Sequence, residues 1–277
     1  MSEEKIRLDL LVVKEGLATS REKAREYILS GKIYVNDKVS KKCGLKLEES
    51  SKIEMKGDAI PFVSRAGLKL EKAIENFNVD LKDLTCIDVG ASTGGFTECM
   101  LNNGAKKVYA IDVGRDQLAE KLRVDPRGVS MEGTNIRGVT YETLGELCDF
   151  VSIDVSFISL EKVIPHVVPL LKKDALGVAL IKPQFEAGRG NHSKKGVVKS
   201  KKVHEEIINK IVELIHENGL YPLELDFSGI KGQNGNIEYL IHFKMSNNSE
   251  EQFNRTRIKE VINYAHDILN LEEIWKK

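Results

Sequence analysis

Apolar residues fall first in short, mixed clusters and then in strand-length runs separated by amphipathic stretches. Ile6, Leu8, Leu10 and Leu11 open a first helix that Gly16 ends. Thr19-Ser20-Arg21-Glu22 has the form of a capping box: the Thr19 hydroxyl accepts from the Glu22 N–H and Glu22 reaches back. The helix behind it keeps Ala24, Tyr27 and Ile28 on one apolar side, leaves Arg21, Lys23 and Arg25 solvated, and stops at Gly31. Ile33-Tyr34-Val35 and Val39 flank Asn36-Asp37, a turn between two short strands. Gly57 and Pro61 punctuate a linker at Lys56–Pro61, which makes residues 1–60 a small module of their own.

A helix then runs from about Val63 to Phe77, and the chain begins to alternate. Strands are expected at Thr85–Val89, Lys107–Asp112, Val129–Met131, Phe150–Ile153 and Val178–Ile181, and helices at Gly95–Asn102, Asp116–Leu122, Leu160–Leu171 and Lys202–Glu217. Such alternation means a mostly parallel sheet covered by helices on both faces. Two late strands, Glu224–Ser228 and Ile237–Lys244, lack an intervening helix and form an antiparallel hairpin at one end of the sheet. This larger unit spans residues 61–246. The remainder, 247–277, is polar and then weakly helical through Ile258, Val261, Ile262, Ala265, Ile268 and Leu269. It packs on the surface or pairs with another subunit.

Composition narrows the class. No early apolar run has the length of a signal peptide or a membrane span. Cys43, Cys86, Cys99 and Cys148 form no C-x-x-C pair and no His/Cys cluster, so neither structural zinc nor a disulfide framework is expected. Reduced thiols and a cytoplasmic location follow. Lys+Arg and Asp+Glu both total 42, so net charge says nothing of a polyanionic partner. Local charge does: Arg189, Lys194, Lys195, Lys199, Lys201 and Lys202 lie between Lys182 and His204, with Glu186 as the one acid. That segment is either a phosphate-tracking loop or a plain solvated one.

The most informative stretch is Ile87-Asp88-Val89-Gly90-Ala91-Ser92-Thr93-Gly94-Gly95-Phe96, an apolar strand entering a glycine-rich turn and a helix. Its spacing is G-x-x-x-G-G. A dinucleotide site instead needs G-x-G-x-x-G, which brings a pyrophosphate onto a helix N-terminus. A nucleoside ligand without phosphates fits better, and S-adenosylmethionine is the expected cofactor. Asp88, at the strand tip, holds the methionine ammonium directly or through water. Asp112, ending the next strand, accepts both ribose hydroxyls, which by itself suits NAD equally. Asn135, after the third strand, is placed to bond the adenine. Capping of strand-end loops is the alternative role for both aspartates.

Four charged residues stand out by position. Lys69 precedes the first strand of the sheet, Asp154 ends the fourth, Lys182 ends the fifth, and Glu238 enters the last. Carboxyl ends of neighbouring parallel strands lie together, so Asp154 and Lys182 must be close to each other and to the cofactor. A ribose 2′-hydroxyl attacking a sulfonium methyl must lose its proton, and a lysine accepts it only when neutral. Crowding by a second cation or desolvation favours that form, whereas carboxylates orient the amine and oppose deprotonation. Lys182 is the expected general base, Asp154 and Glu238 orient, and Lys69 steers or polarises. Read singly, Lys69 is also a surface helix charge, Lys182 half of a structural ion pair, and Glu238 an edge-strand residue.

Two resemblances sharpen this. Arg7-Leu8-Asp9, Gly16-Leu17-Ala18-Thr19-Ser20-Arg21-Glu22-Lys23-Ala24 and Gly31-Lys32-Ile33-Tyr34-Val35-Asn36 resemble the S4 RNA-binding domain. The resemblance implies that Arg7, Ser20, Arg21, Arg25 and Lys32 grip RNA backbone. Residues 62–244 resemble the FtsJ-like ribose 2′-O-methyltransferases, whose K-D-K-E tetrad is matched in order by Lys69, Asp154, Lys182 and Glu238. The motifs Ser64-Arg65-Ala66-Gly67-x-Lys69-Leu70, Asp88-x-Gly90-Ala91-Ser92-Thr93-Gly94-Gly95-Phe96-Thr97, Asp154-x-Ser156-Phe157-Ile158-Ser159-Leu160 and Lys182-Pro183-Gln184-Phe185-Glu186, together with the S4-like head, are similar to the TlyA / hemolysin A family. The implied fold is an α/β protein: a seven-stranded, mostly parallel class I methyltransferase (Rossmann-like) sheet with a small N-terminal α-L module. The implied cofactor contacts are Asp88, Gly90, Ser92, Gly94, Gly95, Phe96, Asp112 and Asn135. The implied RNA contacts include Arg65, Arg189, Lys194 and Lys195.

The implied activity is a ribosomal RNA cytidine-2′-O-methyltransferase, with ribosomal RNA or ribosomal subunits as partner and no resident metal. Three other readings stand beside it. A non-enzymatic ribosome-assembly factor would bind RNA without methyl transfer, and an intact Asp154–Lys182 pair argues against it. A membrane-active cytolysin would need a secretion signal or an amphipathic pore segment. An oxidoreductase shares the fold but is disfavoured by the glycine spacing.

Overall fold

In the computed structural model the described residues are 5–18, 20–56, 61–187, 196–246 and 253–274. The chain divides into two compact units, Met1–Pro61 and Phe62–Lys277.

In the first unit β1 (Ile6–Arg7) leads directly into α1 (Leu8–Lys14), followed by α2 (Arg21–Leu29), β2 (Ile33–Val35), β3 (Lys38–Val39), β4 (Lys46–Leu47) and β5 (Ile53–Met55). Ile6 and Arg7 were expected to be helical. They instead pair antiparallel with Leu47 and Lys46, and this long-range ladder overrides local propensity. The N-cap of α2 is Ser20, whose hydroxyl accepts from Lys23 N at 3.2 Å. Thr19, the expected cap, lies outside the described residues. Asn36 and Asp37 both take positive φ, 47° and 64°, as a two-residue hairpin turn requires. Leu8, Leu11, Val12, Ala24, Ile28 and Ile33 are buried and close the unit's small core.

The second unit opens with α3 (Ala66–Asn76) and continues through β6 (Thr85–Val89), α4 (Gly95–Asn102), β7 (Lys107–Asp112), α5 (Glu120–Arg123), β8 (Gly128–Glu132), α6 (Tyr141–Leu144) and β9 (Cys148–Ile153). Then come α7 (Ile164–Val167), β10 (Leu171–Ile181), α8 (Pro183–Glu186), α9 (Lys201–Glu217), β11 (Leu220–Phe227), β12 (Tyr239–Met245) and α10 (Thr256–Ile274). Seven strands form one sheet in the order β11-β12-β10-β9-β6-β7-β8. Only β12 runs against the rest, antiparallel to both β10 and β11. The late pair is therefore an antiparallel hairpin at one end of the sheet, with its second strand wedged inside.

The strand expected at Val178–Ile181 begins already at Leu171, and three further expected elements differ, each for a local reason. The helix from Asp116 shrinks to α5, because Asp116 sits at φ 57° and the N–H groups of Gln117 and Leu118 donate to Glu132 Oε1 at 2.6 and 3.0 Å. The helix from Leu160 breaks into a 3-10 turn at 160–162, α7, and a second 3-10 turn at 168–170; Pro165 and Pro169 remove donors there. Strand β11 begins at Leu220 and tolerates Pro222 because it is the edge strand, with a register shift before Glu224. The terminal helix α10 packs on α9 and β11, burying Ile258, Val261, Ile262, Ala265 and Leu269.

Candidate active site at the strand tips

Register brings the charged residues to one end of the sheet. Val89 pairs with Ile153 across β6 and β9, Ala179 with Ile153 across β9 and β10, and Ile181 with Tyr239 across β10 and β12. The residues just beyond these tips, Gly90, Asp154, Lys182 and Glu238, therefore share one rim.

They assemble as two ion pairs. Lys182 Nζ lies 2.5 Å from Asp154 Oδ1 and donates to Ser156 Oγ at 2.9 Å. Beyond this ion contact, the buried Asp154 Oδ1 has no hydrogen-bond partner. Lys69 Nζ, reaching in from α3, donates to Glu238 Oε2 at 2.6 Å. Glu238 Oε1 accepts from Gln184 Nε2 at 3.3 Å, and Gln184 is two residues from Lys182, so one short segment touches both pairs. Gly232 leaves room for this carboxylate, because a Cβ there would collide with it.

The glycine turn sits against the same rim. Gly90 has φ 86°, and a Cβ on it would strike the carbonyl of Asp154, so the turn runs directly over the Asp154 backbone. Gly94, at φ 94°, is the N-cap of α4, and Gly95 lies against Ser64 and the Gly67 backbone. Asp112 accepts from Ser92 N at 2.9 Å and Gly114 N at 2.7 Å. Two backbone bonds thus fix its carboxylate while lone pairs remain for a diol. Phe96 is buried beneath the turn. Asn135 is exposed, and its Oδ1 accepts from Arg137 N at 3.1 Å.

Asp88 departs from its expected exposure. It is fully buried, with Thr97 Oγ1 donating to one oxygen at 2.6 Å and Ser152 Oγ to the other at 3.1 Å. Burial pushes its carboxyl up to about 7, against the pull of those two hydroxyls. In this arrangement the carboxylate has no surface for direct contact with an ammonium group.

Several neighbours were not singled out by sequence reasoning. Phe157, four residues past the end of β9, is 82% exposed at φ 63° and packs tilted on Phe185 with ring centroids 5.0 Å apart. Glu186 ties the two loops together: Ser159 Oγ donates to it at 2.6 Å and Leu160 N at 2.8 Å, and burial raises its carboxyl above the usual range. Val113, beside Asp112, is 70% exposed. An apolar residue held open next to a polar site is a signal only a structure gives.

On the small unit, Arg7 and Arg21 both bond to the buried Asp9. Ser20 and Arg25 are exposed and Lys32 is half-buried. Arg65 is exposed at the start of α3. Arg189, Lys194 and Lys195 lie outside the described residues. Among the described residues no group of three His, Cys, Asp or Glu side chains is placed to hold a metal ion, and no helix is long and apolar enough to cross a membrane.

A sheet with one reversed strand beside its edge, a glycine turn after β6 and an acid at the end of β7 define a class I methyltransferase fold. The FtsJ-like methyltransferase model matches residues 62–245 and the S4 domain model residues 6–53. The chain belongs to the TlyA / hemolysin A family of S4–FtsJ fusions. It is 39% identical to "16S/23S rRNA (cytidine-2'-O)-methyltransferase TlyA" of Mycobacterium tuberculosis, over 85% of this chain and 88% of that one. It is 45% identical to "Hemolysin A" of Brachyspira hyodysenteriae, over 86% and 99%. A solved structure from Streptococcus thermophilus is 41% identical and superposes with a TM-score of 0.79, covering 98% of this chain and 99% of that one. Family and fold together make this an S-adenosylmethionine-dependent methyltransferase of RNA.

Proposed function

We propose that the protein methylates the ribose 2′-hydroxyl of a cytidine in ribosomal RNA, with Lys182 as general base. The observation that carries this reading is the juxtaposition of Lys182–Asp154 with the Gly90 turn. The amine that would take a proton and the cradle that would hold the methyl donor share one backbone contact.

The residues fit S-adenosylmethionine. Gly90, Ser92, Gly94, Gly95 and Phe96 shape the cradle, Asp112 accepts the ribose hydroxyls, Val113 offers an apolar face to the adenine, and Asn135 sits at the outer edge. Asp88 acts through Thr97 and Ser152, holding the start of α4 against the sheet. Bound there, the cofactor supplies an electrophilic sulfonium methyl. In that chemistry the ribose 2′-oxygen would take the methyl as the carbon–sulfur bond broke, with its electrons left on sulfur. The hydroxyl proton passes to Lys182 Nζ once that amine has given up the proton it holds in its pair with Asp154. Asp154 and Ser156 hold the amine in line, and the Lys69–Glu238–Gln184 set fixes the far wall.

Phe157, exposed and resting on the half-buried Phe185, forms an aromatic step on which a nucleobase stacks once it leaves its helix. The S4 unit grips the RNA backbone through Arg7, Ser20, Arg21, Arg25 and Lys32. Arg65 and the basic segment with Arg189, Lys194 and Lys195 add phosphate contacts. The buried, unpaired thiols of Cys86, Cys99 and Cys148 suit a cytoplasmic enzyme.

Mapping 2′-O-methyl groups on ribosomal RNA from cells with and without the protein tests this. A cytidine methylated only when the protein is present is the expected result. Identical maps, alongside demonstrated cofactor binding, would leave a ribosome-assembly factor as the better account.

A further inference from the structure

Asp9 is a buried acid in α1 of the small unit. Its side chain is 0% exposed, yet its two partners are open to solvent, Arg7 at 42% and Arg21 at 54%. Arg7 binds it in bidentate fashion, Nε to Oδ1 and Nη2 to Oδ2, both at 2.9 Å. Arg21 Nε reaches the same Oδ2 at 3.0 Å from the first turn of α2. The two guanidiniums meet on one oxygen, so their bonded nitrogens are no more than about 6 Å apart. Two cations that close repel unless an anion sits between them. The paired arginines in turn hold the Asp9 carboxyl down at about 2.

Stability alone does not explain this arrangement. Replacing a buried ion pair by apolar groups of similar volume is often neutral or stabilising. The surroundings are built for orientation. Strand β1 pins the Arg7 backbone opposite Lys46, and a Cβ at Gly44 would lie 3.2 Å from Arg7 Nη1, so glycine leaves the guanidinium its room. Among the described residues nothing accepts from Arg7 Nη1 or from either Nη of Arg21. Those N–H groups point out of a fixed, planar frame, the form that recognises phosphate oxygens. Arg25 follows Arg21 by four residues on the same helix face.

We propose that Asp9 is a positioning residue that yokes Arg7 and Arg21 into one forked phosphate-binding site for RNA backbone. This rests on the reading of the small unit as an RNA-binding module.

The sign of one substitution separates this from simple electrostatics. Asp9→Asn removes a negative charge next to two arginines, and charge counting alone predicts tighter binding to a polyanion. A positioning role predicts the reverse. Full-length protein is titrated with deproteinised ribosomal RNA over a range of KCl concentrations, with melting curves as a check on folding. Asp9→Asn is expected to raise Kd about tenfold and to flatten the slope of log K against log salt by about 1. KM for RNA should rise while turnover at saturating RNA is kept. Arg7→Lys/Arg21→Lys keeps both charges without the planar fork and is expected to lose affinity similarly, which covers the case in which Asp9→Asn fails to fold.

In an Arg7→Ala/Arg21→Ala background, Asp9→Asn should have no further effect. Unchanged or tighter binding by Asp9→Asn, or wild-type binding by the double lysine variant, overturns the proposal while the RNA-binding reading stands. Wild-type binding by Arg7→Ala/Arg21→Ala overturns both.

Discussion

Lys69 Nζ donates to Glu238 Oε2 at 2.6 Å across 169 residues of sequence, joining the helix that precedes the large sheet to the strand that completes it. Both side chains are nearly enclosed, at 10% and 2% exposure. Removing one partner strands a buried charge, so Glu238→Ala should destabilise by about 3 kcal/mol. The double variant Lys69→Met/Glu238→Leu removes both charges and should recover most of that loss. Methyl transfer should be lost in both. Thermal melts and transfer of labelled methyl measure the two effects separately. A double variant that is stable and active would confine the pair to the scaffold.

The Lys182–Asp154 contact makes a different prediction. Lys182→Ala takes away the proton acceptor but leaves the glycine turn and Asp112 untouched. Turnover should fall by roughly 10²–10⁴-fold, with Kd for S-adenosylmethionine and RNA within about threefold of wild type. Lys182→Arg keeps the charge but has no accessible neutral form, and it should be as inactive as the alanine variant. Activity retained by either would remove Lys182 from the role of base.

Much of this rim was legible in the sequence because the chemistry coincides with strand ends. Asp112, Asp154 and Lys182 each close or follow an apolar run, and a parallel sheet must bring such ends together. The glycine spacing likewise pointed to a ligand-holding turn, but not to its close approach to the backbone of Asp154. Depth was illegible. Nothing in Ile87-Asp88-Val89 says that the aspartate faces Thr97 and Ser152 in the interior, since on a strand covered on both faces the alternation of inside and outside disappears. The helix expected from Asp116 failed for a related reason. Its first donors are satisfied by Glu132, on a strand distant in sequence. Asp9 was read only as part of a motif, because its bond to Arg21 spans two elements.

Phe157 carries the clearest test of substrate handling. A phenylalanine that is 82% exposed contributes little to folding, so Phe157→Ala should leave the melting temperature within about 2 °C of wild type. If a base stacks there, the loss is worth about 1–3 kcal/mol per base, which appears as a fall of roughly tenfold or more in kcat/KM for RNA. Cofactor affinity should not move. Full activity in the alanine variant would leave the Phe157–Phe185 step without a role in the reaction.

Asp88 makes stability depend on pH in a defined direction. Burial raises its carboxyl from 3.8 in the unfolded chain to about 7 in the fold, so the folded state binds the proton more tightly. The stabilisation from the protonated form is complete below about pH 4. It drains away as pH rises through the folded value and is gone by about pH 8. Asp88→Asn mimics the protonated carboxyl in shape and hydrogen-bonding capacity, and Ser152 Oγ can accept from the new amide. The variant should match wild type at pH 4 and be the more stable protein at pH 8, by an amount on the order of a few kcal/mol. Because every other titrating group is common to both proteins, the difference between their melting temperatures across pH 4–8 isolates this one carboxyl. A difference that stays flat over that range would mean that Asp88 is already ionised in its pocket, held by Thr97 and Ser152 strongly enough to overcome its burial.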